Sequence, residues 1–284
     1  DGWDTEDNLV HHLMSPYSYR EADNMTDDEF LDVLAEDMTT SIHNIGAENI
    51  AAFIAEPLMG AGGIIVAPDG YHQRMREITA ENDIKYIADE VVTAFGRLGH
   101  MFSSKDKYGM QPDIINTAKG LTSGYQPLAA TIISDEIYDV ISEPGAKFLH
   151  GMTYSGHPAA AAAALANIEI LESEKIPQQV QTTGKYFENT LKGLSDMDIV
   201  GEVRGSHFMM GIEFVEDKET KLAFHDDKNV ALRLQQHAQK RGLIARPLGN
   251  ILILSPTLIL TENEIDNIGG ILQESIEAVT KELL

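Results

Sequence analysis

Cysteine is absent from the 284 residues. Its absence removes disulfide frameworks, thiolate nucleophiles and cysteine-ligated metals, and it fits a reducing compartment, with the cytoplasm as the expected one. Long apolar runs are missing too. The stretch 51–55 stops at Glu56, far short of the roughly 20 residues that cross a bilayer, so membrane insertion is not expected. The opening Asp1-Gly2-Trp3-Asp4 shows no basic segment followed by an apolar one, which leaves no secretory signal to read. Basic residues are scarce: 21 Lys and Arg against 45 Asp and Glu, a formal charge of −24. Such a surface repels nucleic-acid phosphates and anionic lipid, and it suits either saline surroundings or an ordinary acidic soluble enzyme.

What is present is enough apolar material, 43% of the chain, for one large core or two modest ones. Residues 1–48 are polar and acidic, with Thr26 and Glu29 spaced as a capping box that opens a helix. From Ile50 the texture changes to short apolar runs (51–54, 84–88, 113–117, 129–133) and a helical pattern over 71–81. Apolar strands separated by helices predict an α/β fold with a mainly parallel sheet covered on both faces. The alanine-rich stretch 157–174, with Pro158 near its start, reads as a long helix closing a first domain. A second helical stretch follows Lys175-Ile176-Pro177. After it come a strand over 208–215 with Gly211 inside it, a helix over 229–241, short strands around Leu243 and Ile251, and a last helix from Thr261. This pattern predicts a smaller α+β domain over 175–284 beside a larger one over 1–174. No internal repeat is visible.

The chemistry concentrates at strand ends. Residues 84–88 lead into Asp89, and 113–117 lead into Ala118-Lys119-Gly120, so two strands deliver opposite charges to the carboxyl edge of the sheet, where open α/β sheets bind ligands. A lysine there can form a Schiff base with an aldehyde cofactor once burial and neighbouring charge lower its pKa from about 10.4. An acid across a pyridine ring keeps the ring nitrogen protonated, so that the ring accepts the electrons of a carbanion. Taken singly, each charge is equally at home in a salt bridge. The glycines at 60, 62 and 63 lie outside any P-loop or dinucleotide frame and predict a tight turn.

Three runs carry a resemblance. Phe53-Ile54-Ala55-Glu56-Pro57-Leu58-Met59-Gly60, Ala88-Asp89-Glu90-Val91-Val92-Thr93-Ala94-Phe95-Gly96-Arg97 and Asn116-Thr117-Ala118-Lys119-Gly120-Leu121-Thr122-Ser123-Gly124-Tyr125, in that order and spacing, resemble the class III (subgroup II, fold type I) pyridoxal-phosphate aminotransferases. The resemblance continues through Thr153-Tyr154-Ser155-Gly156-His157-Pro158 and into the C-terminal part. It implies a mainly parallel large domain of the seven-stranded type, incomplete here, and a smaller C-terminal α+β domain. It also implies pyridoxal 5'-phosphate as cofactor, with Lys119 forming the Schiff base and moving the proton, Asp89 pairing with the pyridine nitrogen, and Glu56 beside cofactor and substrate. Val91, two residues beyond Asp89 and so on the same face of an extended chain, packs on the ring in this reading. The resemblance further implies that Thr153 hydrogen-bonds the phosphate across the interface of a homodimer or higher oligomer. The family has a further N-terminal portion with a phosphate-binding turn, so the sequence is expected to be a piece of a longer chain.

Relatives that use ornithine or 4-aminobutyrate with 2-oxoglutarate carry an arginine at the seat that Ile253 takes here, whereas Leu243-Ile244-Ala245-Arg246-Pro247 resembles the amine:pyruvate branch. Arg246 is then the mobile arginine that grips a carboxylate bidentately and retracts for an apolar amine. The implied reaction moves an amino group from an amine or omega-amino acid to pyruvate or a similar oxoacid. Two alternatives stay open: a related pyridoxal-phosphate lyase, decarboxylase or aminomutase, and a truncated fragment without catalysis.

Overall fold

The computed structural model describes residues 9–283; Asp1–Asp4, read above for a secretory signal, lie outside them. In chain order the elements are α1 (Ser18–Glu21), α2 (Asp27–Ile45), β1 (Ala52–Ala55), α3 (Tyr71–Glu81), β2 (Lys85–Asp89), α4 (Ser103–Asp106), β3 (Ile114–Thr117), β4 (Ala130–Ile133), α5 (Asp135–Ile141) and α6 (Pro158–Ser173). There follow α7 (Ile176–Lys192), β5 (Val200–Ser206), β6 (Met209–Asp217), β7 (Leu222–Ala223), α8 (Val230–Lys240), β8 (Arg246–Leu248), β9 (Ile251–Leu254) and α9 (Glu262–Leu283).

Thr26 and Glu29 form the expected reciprocal cap, satisfying two backbone donors that the first turn of α2 leaves free. Phe30, Leu34, Met38 and Ile42 then recur at helical spacing and are buried. They pack with Tyr71, Met75 and Ile78 of α3 against Tyr86 and Ala88 of β2. β1, β2 and β3 are parallel neighbours, and β4 closes the sheet antiparallel to β3. The reversal has a simple cause: only residues 118–129 join β3 to β4 and they hold a single short 3-10 turn, too little for a helical crossover. Among the described residues the expected cover is present on one face of this sheet. α2 and α3 lie on one face, while Ile54 on the other is 56% exposed, because the connection from β2 to β3 contains just the four-residue α4.

The second sheet runs β5-β6-β9-β8, with β7 on β6, and is antiparallel throughout. Its centre is β6, buried from Met209 to Val215. Phe187 and Leu191 of α7, Val230 and Leu234 of α8, and Leu272, Ile276 and Val279 of α9 cover the face carrying Met210, Ile212 and Phe214. The opposite face receives the loop that follows β1. A Cβ on Gly211 would sit 3.0 Å from the Cβ of Ile64, so glycine inside this strand is what lets that loop approach.

Candidate active site

Parallel pairing sets Ala55 beside Ala88 and Asp89 beside Asn116. The residues that follow, Glu56 after β1 and Lys119 after β3, therefore emerge with Asp89 at the same carboxyl edge. Their charges feel one another. Burial pushes the Glu56 carboxyl above its ordinary range and the Asp89 carboxylate adds to this, while the Gly60 N–H and the Lys119 ammonium oppose it. Glu56 Oε2 accepts from Gly60 N at 2.9 Å, closing the predicted glycine turn, in which Met59 and Ile65 pair and Gly63 takes φ +117°. Asp89 Oδ1 accepts from Val91 N at 3.0 Å, which holds one carboxylate oxygen and orients the other.

Lys119 has φ +36°, in the left-handed region that a residue with a Cβ enters at a cost of order 1 kcal/mol or more. The turn is clamped from two sides. Below it, a Cβ on Gly120 would sit 3.0 Å from Phe95 Cβ, so any larger residue there would have to push Phe95 aside. Above it, Asn167 of α6 donates to Gly120 O at 2.8 Å and Leu121 O at 3.2 Å, and accepts from Ser123 Oγ at 2.6 Å. The strand starts are fixed as firmly. Arg76 grips Asp113 with two bonds of 2.8 and 3.0 Å, and Asp113 also accepts from Tyr86 N at 2.7 Å. Glu90, fully buried next to Asp89, accepts from Ser103 N, Ser104 N and Ser104 Oγ at 2.7, 2.8 and 2.5 Å, folding the segment after β2 back on itself.

Two expectations need correction. β2 ends at Asp89 and Val91 enters a turn, so the extended-chain argument does not describe it; Val91 meets Asp89 through its backbone instead. Lys119 is exposed rather than buried, because among the described residues the strand ends form the floor of the crevice without a wall opposite. Thr153 stands apart from this group, exposed in the segment between α5 and α6. Arg246 opens β8, exposed, and is the direct cross-strand partner of Ile253. The two arginine seats distinguished in the sequence are thus neighbours on adjacent strands. Ile253 is buried against Leu58, Ile64 and Met209, and the cation at 246 stays at the solvent edge. Asn167, Glu90 and Arg97 were not anticipated. Arg97 is half-buried and donates to the carbonyls of Phe208 and Pro256, and desolvation of the guanidinium lowers its pKa to about 10. Asn167 had a readable signal: it is the first polar side chain of α6 and continues the buried stripe of Ala160, Ala164 and Leu171.

A primary amine at one strand end, a carboxylate with one oxygen already held at the next and a second carboxyl beside them form the donor set that a pyridine aldehyde needs, and the residues present fit pyridoxal phosphate. The chain matches the class-III aminotransferase family over residues 4–276 and belongs to that family. Among its relatives, the putrescine–pyruvate aminotransferase of Pseudomonas aeruginosa is 45% identical over 260 residues, which cover 91% of this chain and 56% of that protein. Gamma-aminobutyrate transaminase 1 of Oryza sativa subsp. indica, a mitochondrial protein, is 39% identical over 95% of this chain and 53% of its own length. The structure of a thermostable (S)-enantioselective omega-transaminase from Thermomicrobium roseum superposes with a TM-score of 0.92 at 39% identity, covering 95% of this chain and 60% of that one. A PLP-bound amine transaminase from an uncultivated Pseudomonas species gives 0.90 at 39% identity, over 94% of this chain and 61% of that one. The architecture is that of the fold type I transaminases. The chain spans a little over half the length of the proteins it matches.

Proposed function

We propose that this chain supplies the central residues of an aminotransferase that transfers an amino group from an amine or omega-amino acid to pyruvate or a similar oxoacid. The observation that carries this reading is the convergence of Lys119, Asp89 and Glu56 at the ends of three neighbouring strands. The relatives named for putrescine with pyruvate and for gamma-aminobutyrate support it at the level of reaction class.

Pyridoxal phosphate, when bound, supplies an aldehyde that condenses with amines and a protonated pyridine ring that draws electrons from the neighbouring carbon. Lys119 would hold the cofactor through Nζ and then carry the proton taken from the substrate carbon. Asp89, with Oδ1 engaged by Val91 N, would keep its other oxygen for the pyridine N–H, and Val91 and Glu56 would flank the ring and the substrate. Arg246 would bind the oxoacid carboxylate with two parallel N–H donors and withdraw to solvent when an apolar amine enters. Thr153 would hydrogen-bond the cofactor phosphate of a neighbouring copy in a homodimer or higher oligomer, a role suited to its exposed position between Met152 and Tyr154, which are 74% and 81% exposed.

We place the boundary between the cofactor domain and the small C-terminal domain at residues 174 and 175. We assign the protein to the cytoplasm, consistent with the lack of cysteine. Among the described residues no helix is long and apolar enough to cross a membrane, and the charge of −24 disfavours nucleic-acid partners.

The test is an absorbance titration of the protein and of Lys119→Ala with pyridoxal phosphate, followed by a panel of amine donors with pyruvate. The expected result is a lysine-dependent band lost in the variant, and parallel-line kinetics from two half-reactions. A band of equal strength in K119A, or sequential kinetics with pyruvate, overturns the reading.

A further inference from the structure

α6 carries an unbroken run of small and aliphatic side chains until Asn167. Asparagine is a poor helix former because its amide competes for nearby backbone groups, yet this one turns away from its own helix. Its amide reaches a segment 47 residues earlier in the chain, donating to Gly120 O at 2.8 Å and Leu121 O at 3.2 Å. Its oxygen accepts from Ser123 Oγ at 2.6 Å. Two carbonyl acceptors on one side and a hydroxyl donor on the other fix which end of the carboxamide faces which. Three of its four hydrogen-bonding sites are therefore occupied by a single turn.

That turn begins at Lys119. The residues flanking the contacts are in left-handed conformations, Lys119 at φ +36° and Ser123 at +49°, which L-residues hold only when their surroundings over-determine them. Its own backbone bonds are few and local: Leu121 N to Ala118 O, Thr122 N to Lys119 O, Ser123 N to Gly120 O and Tyr125 N to Thr122 O. Gly120 packs on Phe95 from below. Asn167 is the side chain that bonds the turn from above.

We propose that Asn167 is a positioning residue for Lys119, holding the turn in the strained form that presents the lysine to the crevice. Its consequence for cofactor capture rests on the reading of Lys119 given above; its hold on the turn does not. Leucine or alanine would fill the helix face equally well, but neither offers two donors and an acceptor. Aspartate is isosteric and keeps the acceptor for Ser123, but it sets a carboxylate against two carbonyl oxygens.

The experiment is hydrogen exchange, read by mass spectrometry on the cofactor-free protein, for N167D, N167A and S123A, with the rate of pyridoxal phosphate capture measured alongside. Residues 119–125 are expected to exchange roughly tenfold faster in N167A, more than that in N167D, and about threefold faster in S123A, with the amides of α6 and α7 unchanged. Capture by the two Asn167 variants is expected to slow by roughly tenfold. Parental exchange across 119–125, acceleration spread equally into α6, or faster exchange with an unchanged capture rate each overturns the proposal. If N167A fails to fold, the isosteric N167D and the milder S123A decide it. A parent protein that stays colourless with the cofactor removes Lys119 from its role, and the exchange comparison still reports whether Asn167 holds the turn.

Discussion

Around Arg204, two arginines, two carboxylates and a tyrosine are fully engaged with one another; around Lys119, three charges share a crevice and make few bonds among themselves. Arg204 reaches Glu213 at 2.6 Å and Glu202 at 2.7 Å, and donates through Nε to Gly63 O and Ile64 O at 3.0 and 3.1 Å. Arg20 and Tyr17 complete the shell of Glu213, and the Arg204 guanidinium lies 4.6 Å from the centre of the Tyr17 ring. Burial alone would raise the Glu213 carboxyl, but Tyr17, Arg204 and Arg20 outweigh it and hold it below its ordinary range. At Glu56 the balance falls the other way, with burial and Asp89 prevailing over Gly60 and Lys119. The first cluster locks the loop after Glu56 to the second sheet. The second leaves its lysine amine and the remaining Asp89 oxygen available for a ligand.

The contrast breaks if either cluster behaves like the other. The largest effect is expected at Lys119: under the proposed function, K119A should lower transamination by about 10⁴-fold while its urea midpoint stays within the scatter of surface substitutions. An unfolded K119A would make the lysine structural. Next comes R204A. Arg204 and Glu213 side chains are each 6% exposed, so removing the arginine leaves Glu213 to Arg20 and Tyr17 and takes the donor from the Gly63 and Ile64 carbonyls, and chemical denaturation should show a loss of about 3 kcal/mol. A loss below about 1 kcal/mol would place the cluster with ordinary surface pairs.

A smaller, pH-dependent effect belongs to Glu188 on α7, bonded to Lys185 at 2.8 Å and Lys192 at 2.7 Å. Burial opposes its ionisation, but the two lysines and the His207 N–H bring it down to about 2 from an ordinary 4.5. Its stabilisation is therefore complete above the unfolded value of 4.5 and is lost as pH falls toward 2. E188Q should cost about 1–2 kcal/mol at pH 7 and match the parent at the acid end of a stability profile. The smallest effect has the opposite sign. Because the Glu56 carboxyl is raised, the native state is favoured while that group is neutral, below its ordinary range, and the advantage disappears as pH rises through the folded pKa. E56Q should flatten this limb and leave the protein slightly more stable than the parent at pH 7, by about 0.5 kcal/mol. A clear loss would mean that Glu56 is satisfied like Glu213.

Much of this was legible in the chain. The capping box at Thr26, the span of α3 and the strands ending at Asp89 and before Lys119 depend on spacings within a few residues, and they stand where the pattern put them. β5 escaped notice because Val200-Gly201-Glu202-Val203-Arg204-Gly205-Ser206 has two glycines and two charges, and its strand character comes from pairing with β6. The site was legible to the extent that its residues follow apolar strands. Glu90 was not, and at Asn167 only the break in the apolar run of α6 was, since a polar residue in a helix or beside a motif shows no partner until the partner is in place.

Local pattern in the chain suffices to stand an amine and a carboxylate at the ends of two half-buried strands, because alternation, turn residues and strand length are local properties of a chain in water. Packing of whole elements sets Arg246 and Ile253 facing each other across β8 and β9 and makes Asn167 of α6 clamp the Lys119 turn. Register and long-range contact depend on how whole faces pack, and no window of residues contains that information.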